Sequence, residues 1–138
     1  AFAVEMFVTP EGELLINEIS PRVHNSGHLT LDAFNVSQFE QHVRAVTGMP
    51  LVPIELKSPA AMVNILYGEE MRGYCPQAPR VYGGVAPRSK VYWYGKQPGS
   101  TGRKMGHVNA LAATAAEAVT LAGRTLDKLS GGASERAA

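Results

Sequence analysis

Cysteine is almost absent from this sequence: Cys75 is the only one in 138 residues. That excludes an internal disulfide and a multi-cysteine zinc site, and it fits a reducing compartment. Cys75 is expected to be dispensable. A surplus of charge is missing too, with 13 Lys and Arg against 12 Asp and Glu and a formal net charge of +1. No bulk attraction to nucleic acid or membrane follows, so any anion site has to be local. No apolar run approaches the roughly 20 residues that span a bilayer. There is no basic segment leading into an apolar one, as a signal peptide requires. Also missing is an initiator methionine: the chain opens on "AFAVEMFV", already inside an apparent strand, and the expectation is a fragment of a longer protein. No internal repeat is visible.

What remains is about one domain's worth of residues with an ordinary apolar content of 45%. The runs "AFAVEMFVT" and "ELLINEI" flank "PEG", a Pro-containing turn closed by Gly12, and predict an antiparallel hairpin. Both strands are apolar at most positions, so both faces are expected to be covered. Glu5, between Val4 and Met6, then requires a positive partner. Residues 20 to 29 are rich in Pro, Asn, Ser and Gly and predict an ordered loop. "SQFEQHVRAVTG" predicts a helix: Ser37 caps it, Glu40 sits where a capping box needs it, Phe39, Val43 and Val46 share a face, and Gly48 stops it. "AAMVNILY", "KVYWYGK" and "KMGHVNALA" predict strands, the last two paired across "QPGSTG". Between them, residues 68 to 90 show no clean period. Ala115, Val119, Ala122, Leu126 and Leu129 fall at helical spacing, and the tail "SGGASERAA" is expected to be disordered.

Three groupings carry chemistry. If the hairpin sets Glu5 opposite or diagonal to Glu18, two carboxylates meet on one face and require a cation, a shared proton or a basic side chain. Magnesium suits such a pair, because it takes one or two carboxylates and fills its shell with water and phosphate. A solvent-facing Glu5 and a loop-capping Glu18 are the alternative. In "PRVHNSGH", Arg22 offers a forked donor, His24 and His28 donate or accept, and Asn25-Ser26-Gly27 can aim backbone amides at an anion. A loop whose polar groups satisfy one another would look the same. Zinc on His24 and His28 would need one helical turn, against which the Asn-Ser-Gly interior argues. Lastly, Lys96, Arg103, Lys104 and His107 surround the glycine-rich "YGKQPGSTGRKMGH". A phosphate wants such permissive backbone and paired cations; a solvated hairpin tip is the bland counterpart. The spacing is not that of a Walker A loop.

"FAVEMFVTPEGELLINEISPRVHNSGH", "SQFEQHVRAVTGMPL", "YGK" and "GRKMGHVN" together resemble the C-terminal part of the ATP-grasp N5-carboxyaminoimidazole ribonucleotide synthetases of purine biosynthesis. The resemblance is dense over Phe2 to Leu51 and over Val91 to Asn109. It implies an ATP-dependent carbon-nitrogen ligase in which ATP and bicarbonate give carboxyphosphate, and the carboxyl group passes to the amine of 5-aminoimidazole ribonucleotide. It implies magnesium on Glu5 and Glu18, with Asn17 and Glu18 near the ATP phosphates. It further implies Arg22, His24, Asn25 and Ser26 beside the reaction centre, and Lys96, Arg103 and Lys104 on the ribonucleotide's 5′-phosphate. A cytoplasmic homodimer is the implied form of the complete enzyme, with neither nucleic acid nor membrane as a partner.

Two departures stand out. Where the family often has an arginine followed by Pro-Gly-Arg-Lys, this chain runs Ser100-Thr101-Gly102-Arg103-Lys104 and lacks one cation. Ser20 takes a position commonly held by alanine and is expected to be tolerated. The resulting expectation is an α/β (α+β) chain. Residues 1–56 form the C-terminal part of an ATP-grasp fold, residues 57–129 a small β-rich subdomain with a C-terminal helix, and residues 130–138 a disordered tail. Rival readings are another ATP-grasp carboxylase, a formate-dependent transformylase, or a non-catalytic fold remnant. A catalytic cleft needs both of its walls, so the chain alone is expected to be inactive.

Overall fold

The computed structural model describes residues 1–68, 80–83, 86–97 and 99–134. Cys75 and most of the patternless 68–90 stretch lie outside them. The chain divides into two compact units, Ala1–Lys57 and Ser58–Ala138.

In the first unit, β1 (Ala3–Val8) and β2 (Leu14–Ser20) form the expected antiparallel hairpin. The turn is closed by Gly12, whose amide donates to the Thr9 carbonyl at 2.9 Å. The register slips once, between Glu5 and Met6: Glu5 pairs with Glu18 while Met6 pairs with Ile16. Asn17 is thus the extra residue of a β-bulge. The expectation of two covered faces fails within this chain, for Val4, Met6, Phe7, Leu14, Leu15, Ile16 and Ile19 are all exposed. Two strands cannot bury both of their own faces.

After β2 the chain does not stay irregular. A short 3-10 helix, Asn25–Leu29, runs into α1 (Thr30–Ala33), and Asn-Ser-Gly therefore lies inside a helical turn rather than a loop. The His24 side chain accepts from the Ser26 amide and caps that turn, a role that short Asx and Ser side chains usually take. α2 (Gln38–Val46) begins where its cap predicts, with Ser37 Oγ accepting from the Glu40 amide at 3.1 Å. Only half of the capping box is used, because Glu40 turns along the helix to Arg44 at 2.7 Å. The Val43 and Val46 face of α2 is exposed.

The second unit is a four-stranded antiparallel sheet in the order β3-β6-β5-β4, built from β3 (Ala60–Leu66), β4 (Arg80–Gly83), β5 (Ser89–Trp93) and β6 (Lys104–Leu111). β4 is a strand that the sequence pattern does not announce. α3 (Ala115–Ser134) packs on β3, β5 and β6. It starts with a reciprocal cap, Thr114 Oγ1 to the Glu117 amide and Glu117 Oε2 to the Thr114 amide. It also continues to Ser134, through residues read as disordered. Its fully buried positions are Ala118, Ala122 and Thr125; of the predicted face, Ala122, Leu126 and Leu129 meet the core, whereas Ala115 and Val119 are exposed. Small residues explain this: Ala118 and Ala122 meet Ala61 and Ala110, which lets backbone approach backbone. The larger core of Ile65, Val91, Trp93, Met105 and Val108 fills the remaining space under Leu126 and Leu129. Gly106 is required in β6, since a Cβ there would stand 2.4 Å from the Tyr92 carbonyl oxygen.

Candidate active site

Glu5 and Glu18 are register partners at the centre of the hairpin. The bulge brings a third polar side chain beside them: Asn17 Nδ2 donates to Glu5 Oε2 at 3.3 Å. Ser20 Oγ donates to Glu18 Oε1. Ser20 is buried, so the departure from alanine is a residue that orients the second carboxylate.

The loop that follows β2 turns back onto the same pair. His24 Nε2 lies 3.1 Å from Glu5 Oε1, with side-chain exposures of 13% and 44%. A backbone amide can only donate, and the Ser26 amide reaches His24 Nδ1 at 3.3 Å, with Ser26 Oγ 2.9 Å from the same nitrogen. In a neutral imidazole the proton therefore sits on Nε2, aimed at Glu5. Arg22 is exposed, and its guanidinium donates to the Val23 carbonyl at 3.1 Å. Asn25 opens the 3-10 turn, with Ser26 next.

Sequence reasoning missed the group that holds this loop. Gln38, at the start of α2, accepts from the His24 amide at 2.9 Å and donates to the His24 carbonyl at 2.8 Å; its Nε2 is also 3.0 Å from His28 Nδ1. His28 stacks on Phe39, ring centres 5.5 Å apart. His28 is thus occupied in holding the loop. A signal was present: a long amide follows the cap Ser37, next to a loop crowded with backbone polar groups that need partners.

Among the described residues no cluster of three or more His, Cys, Asp and Glu side chains could hold a metal by itself. Two opposed carboxylates fit magnesium, whose remaining ligands are water and phosphate. They do not fit a closed zinc site.

In the second unit, Lys96, Arg103 and Lys104 gather at the turn between β5 and β6. Lys96 Nζ donates to the Lys104 carbonyl at 3.1 Å, and the Tyr67 amide donates to the Arg103 carbonyl at 2.8 Å. All three cations are exposed. His107 does not join them at the surface. It is 2% exposed in the middle of β6, stacked on Tyr92, and its Nδ1 is 2.8 Å from the Tyr94 hydroxyl. Burial raises the Tyr94 pKa above its ordinary value, which keeps the phenol neutral as a hydrogen-bonding group.

Comparison with known proteins defines the class first. The ATP-grasp domain family matches residues 1–39, and the phosphoribosylaminoimidazole carboxylase C-terminal domain family matches residues 60–120. More particularly, the chain is similar to the C-terminal portion of the N5-carboxyaminoimidazole ribonucleotide synthases, as its motifs imply. It is 51% identical over 106 residues to the N5-carboxyaminoimidazole ribonucleotide synthase of Bacillus subtilis, which covers 77% of this chain and 26% of that protein. The crystal structure of N5-carboxyaminoimidazole ribonucleotide synthetase from Thermotoga maritima superposes with a TM-score of 0.74 at 42% identity, over 91% of this chain and 35% of that one. The Aspergillus clavatus synthase, solved with ADP and 5-aminoimidazole ribonucleotide, gives a TM-score of 0.70 at 32% identity, over 92% and 34%. The mixed α and β fold expected from the sequence is borne out. The chain spans only 26% of its Bacillus relative.

Proposed function

We propose that this chain supplies part of the active site of an ATP-dependent carbon-nitrogen ligase that carboxylates 5-aminoimidazole ribonucleotide with bicarbonate through carboxyphosphate. One observation carries the reading: Glu5 and Glu18 pair directly, with Asn17 brought beside them by a bulge and His24 folded back onto Glu5. The Aspergillus relative binds ADP and 5-aminoimidazole ribonucleotide, which supports the same ligand classes here.

Glu5 and Glu18 would hold magnesium, which when bound neutralises the ATP phosphates and the charge that develops on the transferred phosphoryl group. Asn17 keeps Glu5 aligned and places its amide near those phosphates. His24 donates from Nε2, so that Glu5 keeps one orientation while its other oxygen faces Asn17. Arg22, Asn25 and Ser26 supply fixed donors for an anionic intermediate or the aminoimidazole; preset dipoles do not have to reorganise as charge moves. Lys96, Arg103 and Lys104 hold the 5′-phosphate, contributing binding energy remote from the reacting atoms. In this reading residues 1–56 close the ATP-grasp domain, and the complete enzyme is a cytoplasmic homodimer.

ATP turnover at saturating magnesium and bicarbonate tests it, measured with and without 5-aminoimidazole ribonucleotide. The 138-residue chain and a version extended at its N-terminus are compared. The expected result is ribonucleotide-stimulated turnover in the extended version alone. Stimulated turnover by the shorter chain would show that one wall suffices, and none in either would refute the assignment.

A further inference from the structure

Tyr94 directly follows β5, and its ring is fixed from behind. The hydroxyl is 2.8 Å from His107 Nδ1, and the two rings tilt against one another at 5.7 Å between centres. His107 is in turn sandwiched into the sheet, its ring 4.6 Å from Tyr92 and inclined by 10°. A ring held at its hydroxyl end and along its edge cannot swing freely. The next residue, Gly95, has φ +67, a left-handed conformation that a side chain would resist. That reversal brings Lys96 back over the ring it has just passed, with Nζ 5.0 Å from the Tyr94 ring centre.

A lysine on an exposed turn ordinarily spreads its charge over many rotamers, and binding an anion then costs the entropy of collecting them. Here the aromatic face attracts the ammonium and the Lys104 carbonyl accepts one of its three protons at 3.1 Å. Two N–H groups remain for a ligand. We propose that Tyr94 is a positioning residue, anchored by His107, that presets the Lys96 ammonium for a phosphate monoester at the Lys96, Arg103 and Lys104 turn. This rests on the phosphate reading of that turn.

The test is titration of the 138-residue chain with ribose 5-phosphate, followed by NMR, in a double-mutant cycle. Lys96→Met is expected to weaken binding about tenfold, the loss of one charge-assisted contact. Tyr94→Leu is expected to weaken it about fivefold, and Tyr94→Phe, which keeps the ring but loses the anchor, about twofold. Neither Tyr94 change is expected to weaken binding further once Lys96→Met is present. A tyrosine that merely supported the fold would lower affinity equally with or without Lys96, and that result overturns the proposal. So would full affinity in both Tyr94 variants. Should Tyr94→Leu not fold, Tyr94→Phe in the two backgrounds decides the matter. If Lys96→Met leaves ribose 5-phosphate affinity unchanged, the phosphate reading itself falls, an outcome distinct from loss of coupling.

Discussion

Glu5 and Glu18 stand opposite one another across the hairpin, and each carboxylate is engaged by neighbours of its own: His24 and Asn17 on Glu5, Ser20 on Glu18. Like charges on paired strand positions disfavour one another unless donors or a cation intervene. The neighbours supply donors to both carboxylates, and Glu18 is exposed.

Glu18→Gln in the enzyme extended at its N-terminus is expected to lower turnover by about 100-fold or more, since a neutral amide is a poor ligand for magnesium. Thermal melting should not move, because Glu18 is exposed. Near-normal turnover would remove Glu18 from the metal site.

Gln38→Ala removes both hydrogen bonds that bracket the His24 peptide. The loop should lose about 2 kcal/mol of local stability, read as faster amide exchange at His24 and Gly27. Gln38→Glu should reproduce much of the loss, since a carboxylate cannot donate to the His24 carbonyl. Unchanged exchange in both variants would mean that the loop is held by other contacts.

Arg103→Ala is expected to raise the apparent KM for the ribonucleotide about tenfold, through loss of a charge-assisted phosphate contact. The KM for ATP should stay where it was. Steady-state kinetics on each substrate separates the two, and an unchanged ribonucleotide value would count against the phosphate role.

Tyr94 makes the stability of the second unit depend on alkaline pH. Its folded pKa is raised by burial, so the unfolded chain releases the phenol proton first. Stability is therefore fully present below the ordinary value of about 10 and declines as pH rises through the higher folded value. Tyr94→Phe should show a shallower fall in melting temperature between about pH 9 and pH 11 than the parent chain. An identical fall in both would exclude the contribution of Tyr94.

The elements that carry the site were legible because their signals are local. Two β-rich runs, apolar at most positions, around a Pro-Glu-Gly turn predicted β1 and β2, and Ser37 marked the start of α2 to the residue. The carboxylate pair was legible only as a possibility: continued from Met6 and Ile16, a regular ladder would set Glu5 opposite Asn17, and the bulge is what makes Glu18 its partner. Contacts that depend on three dimensions were not. Nothing in "HNSGH" shows that His24 would cap a 3-10 turn, since histidine is not among the residues that usually do so. Nor does spacing show that Gln38 reaches back fourteen positions to His24. His107 was read as one of a surface group of bases because of its neighbours in sequence. It lies instead in β6, which is buried on both faces from Met105 to Ala110, stacked beside Tyr92. In α3 the predicted face holds at Ala122, Leu126 and Leu129 and fails at Ala115 and Val119, because in the first turns it is Ala118 that meets Ala61 and Ala110.

The slip in the ladder at Glu5 reaches beyond the local geometry. On a regular strand, consecutive residues such as Asn17 and Glu18 point to opposite sides, so one constellation could not use both. With one rung miscounted, the amide of Asn17 still reaches the carboxylate of Glu5 while Glu18 faces Glu5 directly. Anyone transplanting this constellation into another scaffold would have to carry the odd residue along with the side chains, because a tidier hairpin with the same letters would scatter them.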